Sequence, residues 1–392
     1  MDQFISSEHI ASLCAPVQPV IIQRPHAATR AAKWFTDHFP GKAFYAVKAN
    51  ADPMVLEAIG KGGINHFDVA SIAEVRLIRG MFPEATLAFM HPIKPAEAIR
   101  EAYFDHGVRI FSLDCDAELH KILKATEGAR DLTLCVRLAV TNDAAKMSLV
   151  DKFGAKGDAA ISLLRQTRLV AQRLGVCFHP GSQTMNPAAY ASAMDQADEI
   201  IRACGVVVEV VDVGGGFPVA YPGMEPPSMH AFVDQIAARF ETFLSTENSE
   251  LWCEPGRALC AEAQSLLVRI DGRRDQDLYL NDGVYGALSD AGHFAWRYPV
   301  RSFGTPKSRQ VLPYRFYGPT CDSADMMPGP FYLPADMDVG DYIEVGMIGA
   351  YGRALASNFN GFGVYDEVIC EDDPFGSVFL PLPFIHQAQN DR

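Results

Sequence analysis

Residues 43–50 read Ala43-Phe44-Tyr45-Ala46-Val47-Lys48-Ala49-Asn50. The five residues before the lysine carry no charge and show no polar alternation, the pattern of a parallel strand buried on both faces. Lys48 at its end has two readings. It is a boundary residue whose stem snorkels to water, or it is an amine held at the mouth of a pocket. A desolvated amine loses part of its preference for the charged form and can act as a Schiff-base nucleophile.

Similar short runs recur at 64–69, 86–90, 109–113, 132–139, 176–179, 207–213 and 251–254, with helical patterns between them. Asp52-Pro53 offers an N-cap followed by proline at the first helical position, Ser71 and Glu74 have capping-box spacing, and Asn186-Pro187 opens another helix. A further helical pattern, Thr29 to His38, precedes the first strand. Strands alternating with helical or crossover segments predict a closed (β/α)8 barrel of the TIM type. Functional groups of such barrels gather at the C-terminal strand ends. Here those ends are Lys48, Asp68, His91, Asp114, Arg137, His179, Gly214 and Glu254. A barrel built for stability alone has no need of polar or glycine positions on one rim. The long connection at 140–157 is expected to be a functional loop.

After about residue 265 the runs become short and alternating, as in SLLVRI, DLYLND and DYIEVG, with Gly, Pro and Asp between them. That is all-β texture. We expect an α/β barrel at 24–264, and a β-sandwich or barrel-like domain built from 265–392 together with residues 1–23.

The 392 residues carry 48 acidic against 34 basic side chains, a net charge of −14. This argues against nucleic acid or an anionic membrane as partner. The nine cysteines are scattered, without CxxC or zinc spacing, which points to a reduced compartment and no structural metal. The N-terminus lacks a basic, apolar signal pattern, and no stretch approaches the ~20 apolar residues of a membrane span. The tail QAQNDR shows no anchoring motif. A cytoplasmic protein is expected.

Several segments can carry chemistry, and each also has a plain structural reading. Gly214-Gly215-Gly216-Phe217-Pro218 follows a strand, and its backbone N–H groups could converge on an anion; it could also be a tight turn. It is neither a dinucleotide fingerprint nor a P-loop. Glu254-Pro255-Gly256-Arg257 could present a carboxylate and a forked guanidinium at the end of the eighth strand, or form a salt-bridged turn. His179, in Cys177-Phe178-His179-Pro180-Gly181-Ser182-Gln183, could be a satisfied core residue. Arg137 in CVRLAV could serve an internal ion pair, and Glu74 could be a helix cap. Cys321 could be an inert thiol, although it lies beside Asp322 in Gly318-Pro319-Thr320-Cys321-Asp322-Ser323-Ala324-Asp325.

Together, and in this order, FYAVKAN, FDVAS, CVRLAV, HPGSQ, DVGGGFP, EPGR, GPTCDSAD and AYGRALASNFNGF resemble the alanine-racemase-like (fold type III) pyridoxal-phosphate decarboxylases. Ornithine, lysine and diaminopimelate decarboxylases belong to this group. The resemblance covers nearly the whole chain. It implies pyridoxal 5′-phosphate as cofactor, held on Lys48. Asp68, Arg137 and Tyr351 would surround it, and His179 would stack on its ring. Ser182, Gly214, Gly215, Gly216 and Arg257 would bind its phosphate, Gly256 would also contact the cofactor, and Glu254 would face its ring nitrogen. Related racemases are expected to place an arginine there, so Glu254 weighs toward decarboxylation. Cys321 would protonate the product carbon, and Asp322 and Phe359 would meet the substrate. The Cys321 loop would reach into a partner's site, making a homodimer with composite sites.

One position departs from the family. The ornithine decarboxylase pattern expects Tyr-Asp at about 293–294, where this chain has His293-Phe294. Asp290 is the nearby substitute. The resemblance implies decarboxylation of L-ornithine to putrescine. Lysine, diaminopimelate, diaminobutyrate or a carboxylated polyamine are the other substrates, and a silent regulatory homologue of the antizyme-inhibitor kind is the other class.

Overall fold

A computed structural model describes residues 2–4, 6–141, 145–147, 152–243, 249–304 and 308–379. Much of the loop expected at 140–157, and the tail from 380 onward, lie outside the described residues.

The first half of the chain forms an all-parallel barrel. Its strands are Lys42–Ala43 with Tyr45–Ala46, then His66–Val69, Thr86–Phe89, Ile110–Leu113, Thr133–Arg137, Arg173–Cys177, Val210–Asp212 and Glu250–Cys253. The run that begins the barrel is two short pieces broken at Phe44. The earlier piece pairs with Trp252 and Cys253 of the last strand, and the later piece pairs with Phe67 and Asp68 of the second. Strands of a barrel tilt and stagger, so the closing strand meets its neighbours at different heights. The break is where it changes partners, and the sheet therefore counts nine segments. Two boundaries differ from the sequence reading. The sixth strand is Arg173–Cys177, which leaves His179 on the following turn, and the seventh is only Val210–Asp212.

Side-chain parity separates two apolar layers. Phe44, Ala88, Met90, Ile110, Cys135, Cys177, Val210 and Trp252 form one cluster filling the barrel. Residues of the opposite parity, among them Phe67, Phe89, Phe111, Leu134, Val176 and Val211, join the helices in the main core. Burial on both faces is why these strands read as unbroken apolar runs.

The helix starts follow their capping chemistry. Asp52 Oδ1 accepts from the Met54 N–H at 2.9 Å, and Asn186 Oδ1 accepts from the Ala188 N–H at 3.0 Å. Ser71 Oγ accepts from the Glu74 N–H at 3.2 Å, while the Glu74 carboxylate reaches back to the Ala70 N–H at 2.6 Å. The helix before the barrel, Pro25–His38, buries Ala27, Ala28, Ala31, Ala32 and Phe35 against it.

A second, mixed sheet of nine strands follows the order Asp2–Phe4, Asp366–Cys370, Val20–Gln23, Gln264–Arg274, Asp277–Leu280, Val311–Tyr317, Met326–Pro334, with Tyr342–Val345 branching from Gln264–Arg274 and Val300–Phe303 pairing with Tyr342–Val345. Val20–Gln23 pairs antiparallel with Gln264–Leu267 and parallel with Asp366–Ile369, so the first strands lie in the sheet of the last residues. The buried Arg24 ties these parts together through Glu344 at 2.9 Å and Asp372 at 2.9 Å. A short helix, Ser289–His293, interrupts the β texture and carries Asp290. Among the described residues no helix is long and apolar enough to cross a membrane.

Candidate active site

The site stands on the apolar floor of the barrel, two residues further along each strand. Alternate residues share a face. Counting up from Cys135 and Val210 gives Arg137 and Asp212 within their strands; Lys48 lies on the 3-10 turn Val47–Ala49, His179 and Glu254 follow the ends of their strands, and Asp68 comes from the second strand. A cavity of about 370 Å³ opens there. Its lining includes Lys48, Asp68, His91, Arg137, His179, Ser182, Glu254, Arg257, Asp290 and Tyr351. An adjoining recess is lined by Ser182, Gly215, Gly216, Gly256, Arg257 and Tyr351.

Lys48 Nζ lies 3.6 Å from Asp68 Oδ2. Its side chain is 45% accessible because it borders the cavity, not because it reaches the outer surface. This corrects the expectation of an amine biased toward neutrality. Burial does push Lys48 down, but the Asp68 carboxylate outweighs it and holds the ammonium above its ordinary range. Asp68 is itself lifted by burial, against the pull of Lys48 and Arg137.

His179 accepts the Gly181 N–H on Nδ1 at 3.0 Å, so its proton sits on Nε2. Burial, with Arg137 and Lys48 nearby, holds its pKa well below the usual range. A neutral, flat imidazole therefore faces the cavity. The glycine loop packs against this turn. Gly214 and Gly216 have φ of 71° and 95°, and a Cβ on them would lie 2.0 Å from Phe178 O and 2.2 Å from Gly181 O. Only glycine allows both the left-handed backbone and that approach.

Arg257 is 5% exposed. Its Nη1 donates to Tyr221 Oη at 2.9 Å, its Nη2 meets Asp290 Oδ2 at 3.4 Å, and its guanidinium lies 4.6 Å from the Trp296 ring and 5.0 Å from that of Tyr351. Three aromatic rings and a carboxylate thus fix its plane. Its Nε is buried without a hydrogen-bond partner among the described residues. Tyr351 arrives from the second sheet's half of the chain and is anchored by its N–H to Ala49 O at 2.9 Å.

Cys321, Asp322 and Phe359 do not line this cavity. They cluster on the surface instead. Cys321 Sγ donates to Asn360 Oδ1 at 3.7 Å, the Tyr285 hydroxyl lies near Asp322, and the Tyr285 and Phe359 rings are 4.7 Å apart. Cys321 and Asp322 are exposed, and Phe359 is 41% exposed. The loop is pinned from below by buried Asp325, which accepts from Val284 N–H at 2.8 Å, Thr320 N–H at 3.0 Å and Thr320 Oγ1 at 2.7 Å.

The sequence reading passed over Asp212, although it sits at barrel-interior parity two residues before Gly214. It also passed over Tyr221 and Trp296 around Arg257, where no local pattern marks a ring that meets a guanidinium through tertiary folding. Phe153, whose ring lies 5.5 Å from the Arg137 guanidinium and 5.3 Å from His91, fell within the unparsed long connection.

The residues fit pyridoxal 5′-phosphate. The donor set offers an amine for an aldehyde, a neutral ring for stacking and a buried carboxyl. The side-chain-free glycine turn and the unpartnered Arg257 Nε suit a phosphate.

Comparison with known proteins agrees. The model for the pyridoxal-binding domain of the pyridoxal-dependent decarboxylases matches residues 25–261. The chain is 33% identical over 351 residues to the lysine/ornithine decarboxylase of Selenomonas ruminantium, covering 86% of each. The lysine/ornithine decarboxylase of Vibrio vulnificus, solved with cadaverine, superposes with a TM-score of 0.80 at 28% identity, covering 94% of this chain and 100% of that one. The arginine decarboxylase of Paramecium bursaria Chlorella virus, solved with agmatine, gives 0.81 at 26% identity, covering 92% and 98%.

Proposed function

The chain belongs to the pyridoxal-dependent decarboxylase family, and within it we propose that it removes the α-carboxylate of a small basic amino acid, L-ornithine first and L-lysine second. The observation that carries this reading is the meeting of Lys48, the buried Glu254 and the aromatic-caged Arg257 in one cavity. The resemblance to lysine/ornithine decarboxylases supports the choice of substrate. Residues 24–264 are taken as the cofactor barrel, with 1–23 and 265–392 as the β domain.

Pyridoxal phosphate, when bound, supplies an aldehyde that takes up an amine and a protonated pyridine ring that draws in the electron pair left by CO2. Lys48 would hold the aldehyde carbon, and Asp68, 3.6 Å away, is the base nearest its ammonium proton. Arg257 Nε, Ser182 and the N–H groups of the glycine loop would hold the phosphate. His179 would cover one ring face, and Glu254 would keep a proton at the ring nitrogen.

A second copy of the chain would bring its own Cys321 and Asp322 to the mouth of the cavity, where the thiol protonates Cα and the carboxylate holds the distal ammonium. Their exposure and their distance from their own cavity support an arrangement shared between two subunits. A cytoplasmic homodimer is the form in which we expect the enzyme to work.

The test is CO2 release from L-ornithine, L-lysine, L-arginine, diaminobutyrate and diaminopimelate by the purified, cofactor-loaded protein. The expected order of kcat/KM is ornithine, lysine, diaminopimelate. A preference for diaminopimelate overturns the role of Asp322, because its second carboxylate would meet a like charge. No release from any of them or from a carboxylated polyamine, with cofactor bound, makes the protein a silent binder.

A further inference from the structure

We propose that Asp212 is a positioning residue that holds the Glu254 carboxyl group in place and shares a single proton with it. The inference rests on the reading of Glu254 as the partner of the cofactor ring.

Asp212 and Glu254 sit on adjacent strands, at or just beyond the C-terminal end of each, with barrel-interior parity; Asp212 is 1% exposed and Glu254 8%. Their carboxyl groups lie within reach of each other. Two carboxylates have no hydrogen between them, so a hydrogen bond joining them requires one to be protonated. Asp212 Oδ1 already accepts the Gly214 N–H at 2.8 Å, which suits the anion and leaves the proton on Glu254. The Glu254 backbone is registered by its own N–H, which donates to Gly214 O at 2.8 Å. The pair and the glycine turn are thus one hydrogen-bonded unit.

The surroundings agree. Lys48 and Arg137 face the pair with positive charge, Asp68 with negative, and His179, Cys177 and Cys253 are neutral. Burial is the largest influence on both carboxyls, lifting Asp212 to about 6 and Glu254 well above its ordinary range.

The consequence is a proton bound by the folded, cofactor-free protein that the unfolded chain releases. A carboxyl whose folded pKa lies above its unfolded value of about 4.3 stabilises fully below that value and loses the contribution as pH rises through the folded pKa. Asp212→Asn keeps the shape but lets the amide donate to an ionised Glu254, so no proton is required. The experiment is thermal unfolding of the full-length, cofactor-free protein between about pH 5 and 8. The Tm of the variant minus that of wild type should grow with pH, by about 2–4 °C over the range. Glu254→Gln should show the same growth, because its amide donates to an ionised Asp212; it reports on the pair should Asp212→Asn not fold. A pH-independent difference in both variants overturns the proposal, leaving Asp212 a packing residue.

Cofactor affinity separates this proposal from the reading beneath it. Glu254→Gln with unchanged affinity and unchanged decarboxylation refutes Glu254 as ring partner, whatever the unfolding curves show.

Discussion

Arg257→Lys tests the phosphate site while keeping a positive charge. The guanidinium spends Nη1 on Tyr221 and Nη2 on Asp290 and leaves Nε without a hydrogen-bond partner among the described residues. A lysine ammonium is a point charge without a fork. Drawn toward Asp290 and the Tyr221 hydroxyl, it forfeits the directed bond to phosphate. One charge-assisted hydrogen bond contributes about 1.5–3 kcal/mol. At about 1.4 kcal/mol per tenfold, the cofactor Kd should rise about 10- to 150-fold. Loss of the planar contacts with Trp296 and Tyr351 should lower folding stability by about 0.5–2 kcal/mol. The assay is titration of cofactor-free protein with pyridoxal phosphate, followed by its absorbance, with kcat measured at saturating cofactor. The expected result is a weakened Kd with kcat largely restored at saturation. A Kd within about twofold of wild type, under 0.5 kcal/mol of change, refutes the assignment of Arg257 to phosphate.

The other expectations concern the substrate end. Asp322→Ala should raise KM for ornithine about 10- to 100-fold with cofactor affinity unchanged; an unaltered KM places the distal ammonium elsewhere. Asp290→Ala should weaken cofactor retention more than it raises KM, because its carboxylate is paired with Arg257 at 3.4 Å; a pure KM effect, checked by the same titration, would return Asp290 to the substrate. Cys321→Ala should release CO2 but send the proton to the cofactor carbon instead of Cα, giving an aldehyde and pyridoxamine phosphate; unchanged amine yield removes the thiol from the chemistry. Mixing Lys48→Ala with Cys321→Ala subunits should restore partial activity through one intact shared site, and verified heterodimers without recovery would mean that each chain serves itself.

The barrel was legible because parallel strands covered on both faces leave unbroken apolar runs, and because Asp52, Ser71 and Asn186 announce helix starts through local hydrogen bonds. The split at Phe44 was not legible: it arises from closing the ring, a relation between residues about 200 apart in the chain. The rim residues could be located by counting strand ends. Their electrostatics could not, since the Lys48 ammonium is set by a carboxylate from the next strand and Asp212 by one from its neighbour. Cys321 and Asp322 show the opposite limit. Their segment is recognisable as sequence, yet one chain places them on a surface away from its own cavity.

Reduction of the loaded enzyme with borohydride, followed by peptide mapping of the fixed cofactor, tests the central claim most directly. The account predicts a single pyridoxyl adduct on Lys48, in the peptide containing Tyr45-Ala46-Val47-Lys48-Ala49-Asn50, and none in Lys48→Ala protein that remains folded. An adduct on another lysine, such as Lys152 at the cavity wall, would contradict it.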